Sequence, residues 1–501
     1  MAAYKWIVLS NTTIGGLMTS IDTTIVLISL PSILKQLPGT GADEGLWIIM
    51  SYSLVTATLL LNFGRLGDMF GRVKTYNLGF AIFTVGSLLC SLSQTGDQLI
   101  AFRVLQGVGA AFLWANTAAI ITDAFPVSER GRALGINQVA IMTGSVAGLA
   151  LGGILTGLFG WRSIFWVNVP IGIFATIWSH YKLKELGEIS KKEKLDIWGN
   201  VTFAGGLTLI LVGVTLGAVA DWSILNIILV GIGVVLMLAF LRIEKKVRFP
   251  MFQLSLFQNR VFATGNFAIL MVGLAGGALS FMMVFYLQGI LGYSALAAGI
   301  LLVPLSVTIA CFGPVSGWLS DKRGARLFVV LGLAANVVGF VIMSQLPSQI
   351  SYTTLLIPLV ILGAGQGLFA SPNRSATLSS VPAGKRGAAS GMNLMLMSTG
   401  QLLSLGMSVV VIALFVPHSL IVAVFGGAVL SSSSSSQAIA FMNGLHVVYL
   451  ISAALALVSI YPVAVGYKEA KVQTESVIPP PTVRAEDSTA ERSEDGVFHL
   501  S

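Results

Sequence analysis

Fourteen apolar runs follow one another along this chain, and they constrain its fold more than any single residue does. They cover residues 6–34, 46–66, 74–94, 98–124, 132–158, 162–182, 197–219, 222–242, 262–290, 296–320, 326–346, 352–375, 386–416 and 438–467. A bilayer-spanning helix needs about 20 predominantly apolar residues, and nearly every run reaches that length. Strands of a membrane barrel would alternate apolar and polar residues, and these runs do not. Backbone polar groups in lipid must be satisfied within the segment, so helices are expected throughout. The whole chain agrees: it is 55% hydrophobic and only 10% charged, against about 25% charged in soluble domains. Its 55 glycines suit close helix packing in lipid, where small residues let backbones approach. The expected fold is an all-α integral membrane protein with fourteen transmembrane helices.

The basic residues orient such a bundle. Arg65, Arg72, Lys74, Arg130, Arg132, the lysines from Lys182 to Lys194, Arg242 to Arg260, Lys322 to Arg326, Lys385 and Arg386 all fall on one side. The other side carries little beyond Lys35 and Arg162. Short loops rich in Lys and Arg stay in the cytoplasm, which predicts cytoplasmic N- and C-termini in the plasma (inner) membrane. The +8 net charge follows from that topology, and no nucleic-acid partner is expected. Cys90 and Cys311 both lie in apolar runs, so no disulfide framework is expected. The run Ser431–Ser436 reads as a flexible tether, and the polar, acidic segment 468–501 as a disordered tail.

One residue breaks the apolar pattern with a chemical purpose. Asp22 is the only ionisable group between Trp6 and Leu34. A charged group at the centre of a span costs about 2.5–3.5 kcal/mol or more unless it is neutralised or paired. A proton is the natural ligand of such a carboxyl, and Arg103, inside the fourth run, is the natural partner, because no other acid lies deep in a span of the first half. Asp123, near the end of the fourth run, reads as a structural contact. No GxxxxGK[ST] phosphate loop is present, so ATP is not the motor. His180, His418, His446 and His499 show no metal spacing, and no nucleophile–base pair is legible. No enzymatic activity, metal or cofactor is expected; the proton is the coupling ion.

Several motifs then point in one direction. Gly64-Arg65-Leu66-Gly67-Asp68-Met69-Phe70-Gly71-Arg72-Val73-Lys74 follows the second run, and a degenerate copy, Gly317 to Asp321, Gly324 and Arg326, follows the tenth. The glycines permit a tight turn, Asp68 can meet a helix N-terminus or a basic partner, and the basic residues can hold the loop at the anionic leaflet. Arg103-Val104-Leu105-Gln106-Gly107-Val108-Gly109 opens the fourth run; Ser20 to Pro31 carries Asp22; Gly160-Trp161-Arg162 to Asn168-Val169-Pro170 opens the sixth. Together these resemble the signatures of the major facilitator superfamily, and of its fourteen-span drug:proton antiporter branch, over residues 6–467.

The resemblance implies two six-helix halves, 1–182 and 261–467, flanking two extra spans in 183–260. It implies a gating loop at Gly64, Gly67, Asp68, Gly71 and Arg72, echoed by Asp321 and Arg326. It also implies proton coupling through Asp22 and Arg103. A conformational-switch element would be formed by Gly144, Gly148, Gly152 and Gly153 in the fifth run, with a Pro–Gly break at Gly313 and Pro314 in the tenth. The branch expects a proline where Leu149 stands, which leaves the direction of transport open. The implied activity is export of amphiphilic, drug-like small molecules by a monomer embedded in membrane lipid. A proton-coupled importer or uniporter of a metabolite, or a non-transporting receptor, stays open. Candidate cavity residues are Trp114, Asn116, Gln138, Met142, Asn266, Phe281, Phe285, Tyr286, Gln288 and Asn393. No second-half span carries a central acid, which favours neutral, monovalent or zwitterionic cargo. Arg374, near the inner end of the twelfth run, could attract anions, but snorkelling toward the surface is the expected role.

Overall fold

The computed structural model describes residues 2–38, 40–126, 129–187, 195–219, 222–347, 351–382, 385–417, 420, 424 and 436–467. The tail 468–501 and most of the serine run lie outside them. The described residues form helices α1 (Ala2–Gln36), α2 (Ala42–Phe70), α3 (Arg72–Leu92), α4 (Gly96–Ala124), α5 (Arg130–Phe159), α6 (Ser163–Trp166) and α7 (Asn168–Lys182). The extra pair is α8 (Ile197–Val219) and α9 (Ile224–Lys246). The rest are α10 (Arg260–Phe285, extended by a π turn Tyr286–Ile290), α11 (Ala295–Arg323), α12 (Ala325–Met343), α13 (Tyr352–Ser379), α14 (Arg386–Ala413) and α15 (Ser436–Gly466). Thirteen helices are long and apolar enough to span a membrane. The protein is a multi-pass membrane protein.

The sixth expected span differs. It is split into α6 and α7 at Val167. The cause is local: Pro170 has no N–H for the carbonyl four residues earlier, so the ladder opens at Trp166. That opening turns the Asn168 side chain inward.

The helix pairings repeat. In the first half α1 packs on α5, α2 on α4, and α3 on α4 and α7; in the second α10 packs on α14, α11 on α13, and α12 on α13 and α15. The two sets correspond helix for helix, as an internal repeat requires. The halves meet along two seams, α5 against α11 and α2 against α14. The extra pair covers only the second seam: α8 packs on both α2 and α14, and the Asn200 amide donates to the Thr58 carbonyl at 2.6 Å. Helix α9 packs chiefly on α8 and leaves Ile227, Ile228, Val235 and Leu238 exposed, which suits a lipid-facing position.

Glycines set the closest approaches. A Cβ on Gly109 would sit 2.4 Å from the Phe83 nitrogen, so α3 and α4 touch backbone to backbone. On α5 the glycines point two ways. Gly144, Gly148 and Gly152 face α1, where a Cβ at Gly148 would lie 2.1 Å from Thr24 Oγ1 and 2.7 Å from the Ile21 carbonyl. Gly153 faces α11, with Leu296 Cα at 2.6 Å. The expected switch stripe is therefore chiefly an internal joint of the first half, reinforced by Ser20 Oγ to the Ile141 carbonyl at 2.7 Å. Only Gly153, with Leu149 against Gly299, works between halves. Nor is there a break at Gly313 and Pro314. Helix α11 runs unbroken through Pro304 and Pro314, with Gly313 turned toward Met142 of α5.

Candidate functional site: a buried carboxylate cluster

Asp22 sits midway along α1 and is completely buried, with 0% exposure; Arg103 on α4 is 1% exposed. Asp22 Oδ2 accepts from Arg103 Nη1 at 2.5 Å. Its other oxygen, Oδ1, accepts from Gln106 Nε2 at 2.8 Å and from Asn168 Nδ2 at 2.9 Å. Gln106 also donates to Ser87 Oγ at 2.6 Å and takes a bond from Arg103 Nη1 at 2.6 Å. Arg103 Nε donates to the Ile48 carbonyl at 3.2 Å, and its guanidinium lies 4.2 Å from the Tyr52 ring centroid. A buried ion pair persists only when its remaining donors and acceptors are satisfied. Here helices α1, α2, α3, α4 and α7 each supply a piece.

Three of those pieces were not picked out from the sequence. Gln106 is one turn beyond Arg103 and therefore on the same helix face, a spacing that could have found it. Asn168 was legible as a polar residue beside Pro170 in an apolar run. Ser87 carries no signal of its own among so many membrane serines.

Chemically, the cluster sets one carboxylate against one cationic and two neutral donors. In the ionised state the carboxylate fixes Arg103, Gln106 and Asn168, tying α1 to α4 and α7. Protonation removes the charge that compensates Arg103 and converts one oxygen from acceptor to donor. An apolar crevice of about 170 Å³, lined by Ile14, Leu17, Met18, Ile21, Leu151, Val167, Asn168 and Ile171, abuts the cluster at Asn168.

The loop after α2 is a second charged knot. Arg72 donates from Nε to Asp68 at 2.7 Å and from Nη1 to both Asp123 oxygens at 2.8 Å. Glu185 caps the start of α3, accepting from the backbone of Arg72 at 2.8 Å and of Val73 at 3.0 Å. Gly71 holds φ at +108° between α2 and α3, a region L side chains avoid. Arg65 donates to the carbonyls of Phe249 and Pro250 in the chain after α9. The basic residues expected at the lipid surface are thus mostly engaged within the protein, and only Lys74 is exposed. Gly64 has open space beside it, whereas Gly67 admits Asn116. In the second copy Gly324 repeats the turn with φ at +84°, but Asp321 and Arg326 are exposed and form no ion pair among the described residues.

The expected cavity residues disperse. Asn116 is buried against Gly67, donating to the Phe112 carbonyl at 2.9 Å; it packs α2 on α4. Phe281 and Phe285 pack edge to face at 4.9 Å within the core, Tyr286 donates to the Pro347 carbonyl at 2.8 Å, and Trp114 joins the first-half core. Asn266 donates to the Phe262 carbonyl at 2.8 Å, and Asn393 to Thr377 Oγ1 at 3.1 Å. These side chains pack or bond within their own half, while the Oδ1 atoms of Asn266 and Asn393 are buried without a hydrogen-bond partner among the described residues. Gln288, Gln138 and Met142 do reach the partner half. Gln288 donates to the Ile28 carbonyl at 3.1 Å, Gln138 accepts from Arg374 at 3.2 Å, and Met142 lies beside Gly313. A larger cavity, about 710 Å³, lies elsewhere, between α2, α3 and α7, lined by Phe70, Lys74, Leu78, Phe112, His180 and others. It holds none of the expected lining residues.

Residues 12–405 match the Major Facilitator Superfamily. The chain belongs to this superfamily. It is 35% identical over 386 residues to the riboflavin transporter RibZ of Clostridioides difficile, covering 76% of this chain and 83% of that protein. It is 30% identical over 407 residues to multidrug resistance protein 3 of Bacillus subtilis, covering 80% and 78%. It is 33% identical over 382 residues to the cephamycin export protein CmcT of Amycolatopsis lactamdurans, covering 74% and 77%. A bacterial homologue of the human lysosomal transporter Spinster, solved inward-facing, shares the fold with a TM-score of 0.66 at 17% identity, covering 93% and 97%. The protein is a major facilitator transporter and not an enzyme, and its relatives include multidrug efflux transporters.

Proposed function

We propose that this transporter exports amphiphilic small molecules from the cell in exchange for protons, working as a monomer in the plasma membrane with both termini cytoplasmic. The observation that carries the reading is the buried Asp22 carboxylate, held by Arg103, Gln106 and Asn168. A transporter with no need of a proton would gain nothing from so costly a group at that depth. Protonation loosens the tie between α1 and α4, and α1 is the helix on which α5 rides. Helix α5 meets α11 of the other half, so a change at Asp22 is passed to a seam between halves through one packed neighbour. A ligand shifts such an equilibrium only by its differential affinity for the two states. Substrate favouring the deprotonated state and proton favouring the other would therefore exchange. The membrane potential supplies about 2.3 kcal/mol per charge per 100 mV for that cycle.

The names of the exporting relatives support this direction. The riboflavin transporter among them favours a second reading, movement of a metabolite by the same proton-linked cycle. The test is proton release from purified protein in weakly buffered detergent when amphiphilic drugs, or riboflavin, are added. Release that is lost in Asp22→Asn supports exchange at this site, and the compound that evokes it separates the two readings. Binding without release, equal in both proteins, contradicts it.

A further inference from the structure

The second half holds a guanidinium that no carboxylate among the described residues neutralises. Arg374 lies on α13 five residues before Ser379, about 7–8 Å from the helix end at the usual rise per residue. It does not snorkel outward. It reaches across the interface between halves, donating from Nη1 to Gln138 Oε1 on α5 at 3.2 Å and from Nη2 to Ser390 Oγ on α14 at 3.3 Å. Both bonds are long, both partners are neutral, and among the described residues no carboxylate forms an ion pair with it. Arg103, the other arginine inside the bundle, has Asp22. An arginine in a span ordinarily faces a partner of opposite charge.

We propose that Arg374, with Gln138 and Ser390, forms a binding site for the anionic group of an amphiphile: a carboxylate, sulfonate or phosphate. A guanidinium has five N–H donors and two are engaged here, which leaves a fork suited to bidentate capture of an oxyanion. The Gln138 amide and Ser390 hydroxyl can each donate to the same anion. The three residues come from α5 in the first half and from α13 and α14 in the second. An anion bound there contacts both halves and is held only while they are together, which is the differential affinity a transport cycle needs. The inference rests on the transporter reading above and adds the charge of the cargo: anionic or zwitterionic rather than cationic.

The experiment is equilibrium dialysis of the purified full chain in neutral detergent, against empty micelles, with two probes sharing one skeleton. Anilinonaphthalene sulfonate carries the anion, and N-phenylnaphthylamine lacks it. Wild type is expected to bind the sulfonate about tenfold more tightly, one charge-assisted contact. Arg374→Gln should bring the two affinities together while leaving that of the neutral probe unchanged, and Arg374→Lys should keep part of the preference. Added phosphatidylglycerol distinguishes the sources: competition with the sulfonate makes a lipid headgroup an occupant of the same anion site, and its absence confines the site to smaller amphiphiles. Equal binding of the probes by wild type, or a preference surviving in Arg374→Gln, overturns the proposal. Asp22→Asn, which mimics the proton-bound state, should weaken both probes alike and so retain the preference between them. Failure of proton exchange and failure of the anion site would therefore be seen separately.

Discussion

The two halves share one pattern of helix pairing and differ in how they treat charge. In the first, the charges of the buried cluster and of the Arg72 knot are closed off in ion pairs. Arg103 has Asp22, Arg72 has Asp68 and Asp123, and Glu185 caps α3. In the second, Asp321 and Arg326 are exposed, Lys322 only overlies the Trp318 ring at 3.9 Å, and Arg374 has neutral partners. The same fold thus carries one half whose electrostatics are internally settled and one whose charge awaits something from outside. On the proposed cycle the first half takes the coupling proton, and on the further proposal the second takes a cargo that brings its own charge.

Substitutions sharpen or break this contrast. The largest effect on transport is expected from Asp22→Asn, which keeps the shape and most hydrogen bonds but removes the titrating group. Gradient-driven transport in proteoliposomes should fall at least about 100-fold, near 2.7 kcal/mol of barrier, and substrate should bind more weakly, because the variant mimics the proton-bound state. Arg103→Ala leaves the Asp22 carboxylate buried without its cation. Breaking a buried pair this way costs about 3–5 kcal/mol, which should appear as a lowered thermal midpoint in detergent. Arg374→Gln in the second half should have the opposite sign or none, since no carboxylate is left behind; a comparable loss of stability would erase the contrast. Arg72→Ala removes two partly exposed ion pairs and should cost about 1 kcal/mol. Arg326→Ala at the matching loop should stay within about 0.5 kcal/mol. Equal effects at Arg72 and Arg326 would mean that the two loops do the same structural work.

Much of this was legible in the sequence, for identifiable reasons. Span positions follow from hydropathy because lipid leaves the backbone no alternative to helix. Asp22 and Arg103 stood out because charges are rare at that depth. The interrupted sixth span was missed because hydropathy sees through a proline whose effect is on hydrogen bonding. The direction of the α5 glycines could not be read either: a GxxxG stripe shows that a backbone comes close, and only the packing shows that it is α1. The cavity residues were the least legible. An intramembrane amide such as Asn116 or Asn393 looks the same in sequence whether it lines a path or is spent on its own half. For Arg374 both readings, snorkelling and attraction of anions, were open in the sequence, since snorkelling and reaching across an interface begin from the same position near a helix end.

Infrared difference spectroscopy of the carboxyl region tests the central claim most directly. Wild type and Asp22→Asn would be compared as transported substrate is added at constant pH. The account predicts that substrate removes a protonated-carboxyl C=O band in wild type and that the variant lacks this band. A band that ignores substrate, or that persists in the variant, would place the coupled proton somewhere other than Asp22.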